Sequence, residues 1–454
     1  MINTKAILTP KNKALDKKAD EILSSQIIKF PKWLLSLLYL LSIYLVLPII
    51  DFPLLGLSLS ALLFFFIATF VILKSPKNWI KVYRKWIILA VLIWFGIFFA
   101  AVLNGLLSGG VDIDSAGLKT VVRYVYWLLV FVVIANITCN DKILRKISSA
   151  LGWSIFFLGI LRLGEALILG NIGVWSGTQF LTQNSYGFQF STFSPFLLIK
   201  LITEKGIKRV ISGFALIIVW SAAAINGSRS SWIAMIIGLV VTLVILFLTK
   251  PKKFLGVLII FIILISVGII FIFNNPDFTD SVINRVNTLE NIQSDRTYTS
   301  RIVLNQKSIK LFQISPIIGV GAGRFRLETV PLDIPILLSH LPVSHFDTKT
   351  SHNSYLGFLA ENGLVGGLPL AILLLLLFIQ GVRSCYIFSS EGKYWSIGII
   401  VAFIQMSIHM WTIFALTGTS TWFVFGLVCA MIMLENQNKL KKQYKHIYKK
   451  NGVI

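Results

Sequence analysis

The feature that most constrains this chain is a succession of apolar runs, each about as long as a bilayer core is thick. A helix crossing about 30 Å of hydrocarbon needs roughly 20 mostly apolar residues. Runs of that kind occupy 33–50, 54–73, 86–107, 118–138, 147–169, 186–203, 208–226, 230–249, 253–273, 353–381, 394–416 and 418–434. In lipid every backbone N–H and C=O must be satisfied within the segment itself. The runs therefore predict an all-α, polytopic integral membrane protein with about 12 transmembrane helices. Composition points the same way, with 56% hydrophobic and 13% charged residues and a mean hydropathy of +0.81. Soluble domains carry about 45–50% apolar and about 25% charged residues, so a soluble globular enzyme is excluded.

The formal net charge of +23, from 42 basic and 19 acidic residues, suggests nucleic acid in a soluble chain. Sorted by loop, the charge has another meaning. Segments 1–32, 74–85, 139–146, 200–209, 250–253, 382–393 and 435–454 hold 30 of the 42 bases. On the other side, 104–117 carries Asp112 and Asp114 and no base, 170–185 is uncharged, and 417–420 is short and neutral. The positive-inside rule then predicts cytoplasmic termini and an external 274–352 loop, with no nucleic-acid partner. The first run follows 32 polar residues and no small-residue cleavage site, so a retained anchor is expected. The resulting organisation is a basic tail 1–32, spans one to nine over 33–273, the 274–352 loop, spans ten to twelve over 353–434, and a second basic tail 435–454. Three cysteines are too few for a disulfide framework and match no metal spacing.

A 79-residue connection between spans nine and ten is far longer than a simple connector, and loops of that length are usually functional or disordered. Tyr298 to Gln313 reads as an amphipathic helix with Ile302, Ile309 and Phe312 on one face and Lys307 and Lys310 off it. Ser315-Pro316 stops it, and Gly319, Gly321 and Gly323 form a tight turn. Val330 to Phe346, broken by Pro331, Pro335 and Pro342, is placed on the membrane surface or over a cavity.

The strongest local pattern is His352-Asn353, nine residues, then Gly363-Leu-Val-Gly366. If span ten starts near His352, Gly363 falls about 20° and Gly366 about 40° from the His face. The glycines then form a packing seam beneath an imidazole able to act as a general base, or above which it simply caps the helix. Ser351 or Asn353 could supply the N-cap. Arg229, in Asn226-Gly-Ser-Arg-Ser-Ser231, lies among loops that otherwise avoid positive charge; its planar fork suits phosphate oxygens, with snorkelling to headgroups the alternative. Arg301, in Thr299-Ser-Arg-Ile, is read into the first turn of the loop helix, where a cation opposes the dipole and invites an external anion, with a solvated surface Arg the alternative. Arg324 and Arg326 add positive field, and Lys119 and Arg123 sit one turn apart at the outer end of span four within reach of lipid phosphate, with a structural role the alternative. Gly319-Val-Gly-Ala-Gly323 lacks the Lys-Ser/Thr of a nucleotide loop. His340, His345 and His352 with Asp333 and Asp347 show no helical i, i+4 pair of the kind zinc sites use, so no metal is expected. Arg162 and Glu165 neutralise each other within the bundle. Glu361 points away from His352 unless the helix breaks at Asn362-Gly363.

Taken together, His352-Asn353-x9-Gly363-x-x-Gly366 resembles the signature of bacterial O-antigen ligases and the related O-antigen and exopolysaccharide polymerases. The likeness extends to Ser-Arg-Ser at 228–230, to the Arg301 helix leading into Ser315-Pro-Ile-Ile-Gly-Val-Gly-Ala-Gly-Arg-Phe325, and to Gln183-Asn184 before span six. One departure is Leu304-Asn305, where such loops often have Trp after the arginine. The resemblance implies a glycosyltransferase of the cytoplasmic (inner) membrane, acting on its outer side. It would need no metal or other cofactor, and its donor would be an undecaprenyl-diphosphate-linked glycan. Its acceptor would be lipid A–core (a ligase) or another lipid-linked repeat (a polymerase). Arg229 and Arg301 would hold the diphosphate and His352 would take the acceptor proton. Asn353, Asn184, Arg324, Arg326 and Arg123 would contact substrate, with Gly363 and Gly366 structural. A reading of another class is a polysaccharide transporter or lipid-glycan flippase. Such proteins tend to show internal repeats and midplane polar groups, and no repeat is evident here. A structural or assembly scaffold is a third reading.

Overall fold

In the computed structural model the described residues are 31–47, 59–74, 79–107, 115–169, 181–273, 283, 295–342 and 344–450, and among them there is no strand. Most of the basic tail 1–32, the turn with Asp112 and Asp114, most of 170–185, and all of 274–294 except residue 283 lie outside the described residues. The helices are α1 Lys32–Val46, α2 Leu59–Lys74, α3 Trp79–Leu107, α4 Ser115–Ile137, α5 Asp141–Ile168, α6 Gln183–Thr203, α7 Gly206–Asn226, α8 Arg229–Thr249 and α9 Pro251–Phe273. They continue with α10 Arg296–Ile314, a 3-10 turn Ile336–Leu338, α11 Ser344–Asp347, α12 Ser354–Ser390, α13 Trp395–His409 and α14 Thr419–Lys450.

Among the described residues, seven stretches are long and apolar enough to cross a membrane: 85–103, 117–137, 141–168, 206–226, 229–249, 354–390 and 419–443. Helices α1 and α13 are apolar but shorter, at 15 residues each. This supports a polytopic, all-helical membrane fold; the figure of about twelve spans rests on the apolar runs alone. Helix α6 forms the centre, nearly all of it buried although it carries Ser191, Thr192, Ser194 and Lys200. It is packed by α5, α7, α8 and α13, while α12 lies on α3 and α14 on α4. Helix α8 instead leaves Ile233, Ile236, Val240, Val244 and Phe247 exposed, an apolar face suited to lipid.

Two expectations about the loop and span ten are overturned. Helix α10 does form and ends at Ser315, but it buries Val303, Leu304, Lys307, Ser308 and Leu311 and exposes Ile302 and Ile309. The helix has two apolar stripes. The Val303–Leu304–Leu311 stripe wins because it closes a small core with Val320, Phe325, Val330, Leu338, Phe346 and Ala360. Val330 to Phe346 thus folds back onto the loop helix. Lys307 tolerates this burial through Asp347, 3.2 Å away, and the ring of Phe325, 5.1 Å away. Burial lowers its pKa and Asp347 only partly opposes that.

The second correction concerns the His–Gly stripe. Helix α12 starts at Ser354, capped by Asn353, whose Oδ1 accepts from Tyr355 N and Leu356 N. It then breaks at Gly363, with φ 55° and ψ −159°, so His352 and the glycines do not share one helical face. The turn Pro316–Gly321 replaces the hydrogen bonds lost at the break. Val320 N donates to Ala360 O (2.9 Å), Gly321 N to Glu361 O (3.0 Å), Leu364 N to Pro316 O (2.9 Å) and Val365 N to Ile317 O (3.0 Å). Gly319, Gly321 and Gly323 all have positive φ, as that turn requires. The packing role of Gly366 stands in a narrower form: a Cβ on Gly96 of α3 would come within 2.6 Å of its Cα.

Candidate functional site

Four helix starts converge on one cavity of about 300 Å³. Its wall includes Gln183, the first residue of α6; Arg229, the first of α8; Arg296, the first of α10; and His352, just before α12. Each helix start presents unsatisfied N–H groups and the positive end of a dipole. Thr182 caps α6, Asp295 caps α10 and Asn353 caps α12, but Ser228 makes no side-chain cap for α8. The start of α8 lies beside four cations in the same wall: Arg229, Arg296, Arg301 and Lys349. A chamber of this kind selects an anion rich in oxygen acceptors.

The local sequence explains why these groups meet. Gln183 Nε2 donates to Asn226 O (2.8 Å) and Asn226 Nδ2 to Gln183 O (2.9 Å), tying the start of α6 to the end of α7. Gly227, at φ 67°, then turns the chain directly into α8. Arg229 accordingly opens a helix, rather than lying in a loop. It pairs with Asp295 at 2.5 Å with both side chains largely buried, which replaces the headgroup-snorkelling alternative. Burial pushes the Asp295 carboxyl up, but the amides of Tyr298 and Thr297 and the guanidinium of Arg229 outweigh it, and its pKa falls below the usual value.

Arg301 lies in the second turn of α10, not the first, because the helix begins at Arg296 behind the Asp295 cap. It forms no salt bridge among the described residues. Burial first, and then the charge of Arg229, lower its pKa, with Asp295 opposing. A half-buried guanidinium without a salt bridge among the described residues is a costly group whose cost an anionic ligand would lower.

His352 is held through its neighbours. Ser351 Oγ lies 3.2 Å from Ser308 Oγ of α10 and donates to Asn353 O at 2.8 Å. Ser354 N donates to Met410 O and Ser354 Oγ to Ile413 O, at 2.9 and 2.6 Å, fixing the same turn to the α13–α14 connection. Burial, then Arg301 and Lys349, push the imidazole down to about 4, so it is the neutral base at physiological pH. A folded value below the ordinary 6.5 contributes stability that is full above about pH 6.5 and is lost as the pH falls through about 4.

A second cavity, of about 480 Å³, lies against the first and shares Asn184 and His352 with it. Its charge is much lower, with Arg326 as the cation of its wall, alongside Gln189, Phe188, Phe414, Thr350 and Ser420. The structure thus brings together Arg229, Arg301, His352 and Asn184, with Arg326 on the far side of His352. It does not bring in the remaining expected contacts. Arg324 pairs with Glu328 at 2.9 Å and lines neither cavity, Arg123 is exposed on α4 and lines neither, and Asn353 is buried as a cap. Gly363 and Gly366 shape the backbone.

Among the described residues there is no group of three or more His, Cys, Asp or Glu placed to hold a metal. Asp333 is engaged by Gln306 and Lys310 and Asp347 by Lys307. Arg162 and Glu165 pair at 3.7 Å in the interior. Glu361 serves the glycine turn, accepting from Phe325 N at 3.2 Å.

Three contributors escaped the sequence reading: Asp295, Arg296 and His409. Asp295 could have been found as an N-cap before a helical stretch. His409 is buried at the end of α13, its Nδ1 2.9 Å from Ser191 Oγ and its Nε2 3.3 Å from Ser230 Oγ. It anchors Ser230 in the wall of the cationic cavity, and its signal was an ionisable residue inside an apolar run.

Residues 214–371 match a family model described as O-Antigen ligase, a stretch that contains Arg229, Arg301, His352, Asn353, Gly363 and Gly366. The chain is also 24% identical over 277 residues to an uncharacterized protein of Haemophilus influenzae (strain ATCC 51907 / DSM 11121 / KW20 / Rd), which covers 59% of this chain and 67% of that protein.

Proposed function

We propose, from the match of residues 214–371 to the O-Antigen ligase family model, that the chain transfers a glycan from undecaprenyl diphosphate to an acceptor hydroxyl. The reaction takes place on the outer side of the cytoplasmic membrane, with lipid A–core the acceptor of a ligase and a second lipid-linked glycan that of a polymerase. The observation that carries this reading is the pair of cavities meeting at His352 and Asn184: one built for a polyanion, the other polar and nearly neutral.

The diphosphate sits against Arg229, Arg301 and the uncapped start of α8. The acceptor hydroxyl approaches from the second cavity, next to His352. Its oxygen attacks the anomeric carbon as the C–O bond to the diphosphate breaks, the bonding pair leaves with the phosphate oxygen, and the hydroxyl proton passes to the neutral imidazole. One displacement inverts the anomeric centre. The arginines stabilise charge that grows on the leaving group, which is electrostatic transition-state stabilisation. The family's two activities differ in acceptor, which is met in the less charged cavity.

His352→Ala should lower transfer in isolated membranes by about 10²–10⁴-fold, the range of general base catalysis, with the protein still folded. Wild-type transfer by this variant overturns the assignment of His352. Binding of the donor also alters the imidazole itself. Arg301 is among the groups that depress its pKa, and a diphosphate beside that arginine reverses the effect. With donor varied, the acid limb of kcat should therefore lie at higher pH than that of kcat/KM, since the two report the complex and the free enzyme. Coincident limbs would contradict a diphosphate beside His352.

A further inference from the structure

Helix α6 reaches from the candidate site to a third chamber at the opposite end of the bundle. Asn184 and Lys200 both lie on it, about 24 Å apart at 1.5 Å per residue. The chamber has a volume of about 510 Å³ and a wall that carries Arg145, Lys146, Lys200, Lys253 and Lys393 against a single acid, Glu204. Three of the five cations are matched: Lys200 with Glu204 at 2.7 Å, Arg145 with Asp141 at 3.4 Å and Lys393 with Glu391 at 2.9 Å. Lys146 and Lys253 face no carboxylate among the described residues. Lys253 Nζ donates to Ile202 O at 3.0 Å, and Lys146 lies 5.9 Å from the ring of Tyr39.

A further feature of this wall points to an oxygen-rich anion. Ser148 is 5% exposed, and its Oγ, in the chamber wall, has no hydrogen-bond partner. Buried polar groups are nearly always satisfied, and an exception calls for a functional account.

We propose that this chamber is a phosphate site, distinct from the one proposed for transfer, and that it takes the headgroup of an anionic glycerophospholipid. Ser148 donates to a phosphate oxygen, while Lys146 and Lys253 supply the charge. A lipid suits the surroundings: Lys253 lies in the first turn of α9, which also exposes Leu255 and Ile259, and basic chambers between helices hold lipid headgroups. Free phosphate offers the same oxygens without the acyl chains.

The test uses the delipidated full-length protein, titrated with short-chain phosphatidylglycerol, short-chain phosphatidylcholine and inorganic phosphate. Phosphatidylglycerol should bind about tenfold or more tightly than phosphatidylcholine, the scale of one charge-assisted contact. Ser148→Ala and the double variant Lys146→Gln/Lys253→Gln should each weaken it by about tenfold or more. Ser148→Ala should not lower the thermal stability of the lipid-free protein, because it deletes a hydroxyl that has no partner. Inorganic phosphate that binds alone with the same sensitivity to these variants supports the site and makes soluble phosphate its ligand. Equal binding of the two lipids together with no phosphate binding, or variants that bind like the wild type, overturns the proposal. None of these measurements depends on glycan transfer.

Discussion

Arg301→Ala should lower glycan transfer by about 10²–10³-fold, by analogy with the loss of one oxyanion donor, while leaving the protein as stable as the wild type or slightly more so. The expectation comes from the difference between the two arginines. Arg229 is held by Asp295, so removing it costs structure as well as charge. Arg301 has no carboxylate salt-bridge partner among the described residues, is half-buried, and is opposed by the charge of Arg229. Deleting it relieves repulsion in the free protein and removes stabilisation only when the leaving diphosphate is present. Arg301→Lys should recover part of the rate, since an ammonium supplies the charge but not the planar fork. Transfer rates in reconstituted vesicles and thermal unfolding of the same preparations test the contrast. An Arg301→Ala protein that unfolds as readily as Arg229→Ala, yet transfers normally when folded, would contradict it.

Gly363→Ala should be among the most destabilising single substitutions in the chain. The backbone there adopts φ 55° and ψ −159°, a region essentially reserved for glycine, at a cost of about 1–3 kcal/mol for another residue. An added methyl would also collide with the carbonyl of Ile317 and the amide of Gly319. Relief of that collision requires parting the Pro316–Gly321 turn from α12, with the four backbone bonds that replace the broken helix. At about 1 kcal/mol net per bond, the total reaches several kcal/mol. The same movement carries α10 and Arg301 away from His352, so the residual folded fraction should also be slow. Gly164→Ala is the control: it is helical with open space around its Cβ position, and alanine there should be neutral or stabilising by up to about 1 kcal/mol. Thermal unfolding of the two variants checks the expectation, which fails if Gly363→Ala behaves like Gly164→Ala.

The all-helical membrane architecture was legible because membrane helices are written as long apolar runs. The site was legible in part. Arg229 stood out because the short loops read as external otherwise lack bases, Arg301 by opposing a helix dipole and His352 by its spacing to Gly363 and Gly366, and the fold gathers them around one cavity with Asn184. The helical stripe through His352, Gly363 and Gly366 failed because it assumed an unbroken helix. The break is stabilised by Pro316 and Ile317, more than forty residues upstream, and no local pattern reports such a partner. The face of α10 was misread for a related reason. Both of its sides are apolar, and only the glycine turn and Phe346 decide which is covered. Burial of Lys307 depended on Asp347 arriving from the far end of the loop. Asp295 was overlooked because sequence reading paired each arginine with a hypothetical anion before asking which carboxylate folds beside it. Arg123 and Arg324 attracted attention by charge alone, and position separates them from the cavities.

The central claim is covalent transfer of a glycan at the junction of the two cavities. Its most direct test is to reconstitute the purified protein in vesicles with an undecaprenyl-diphosphate-linked glycan and a candidate acceptor, and to analyse the acceptor for newly attached glycan. The account predicts glycan joined to the acceptor with inverted anomeric configuration, released undecaprenyl diphosphate in equal amount, and loss of both products in His352→Ala. Donor that crosses the bilayer with its glycan still attached, and an acceptor left unmodified, would contradict it and favour a lipid-glycan flippase.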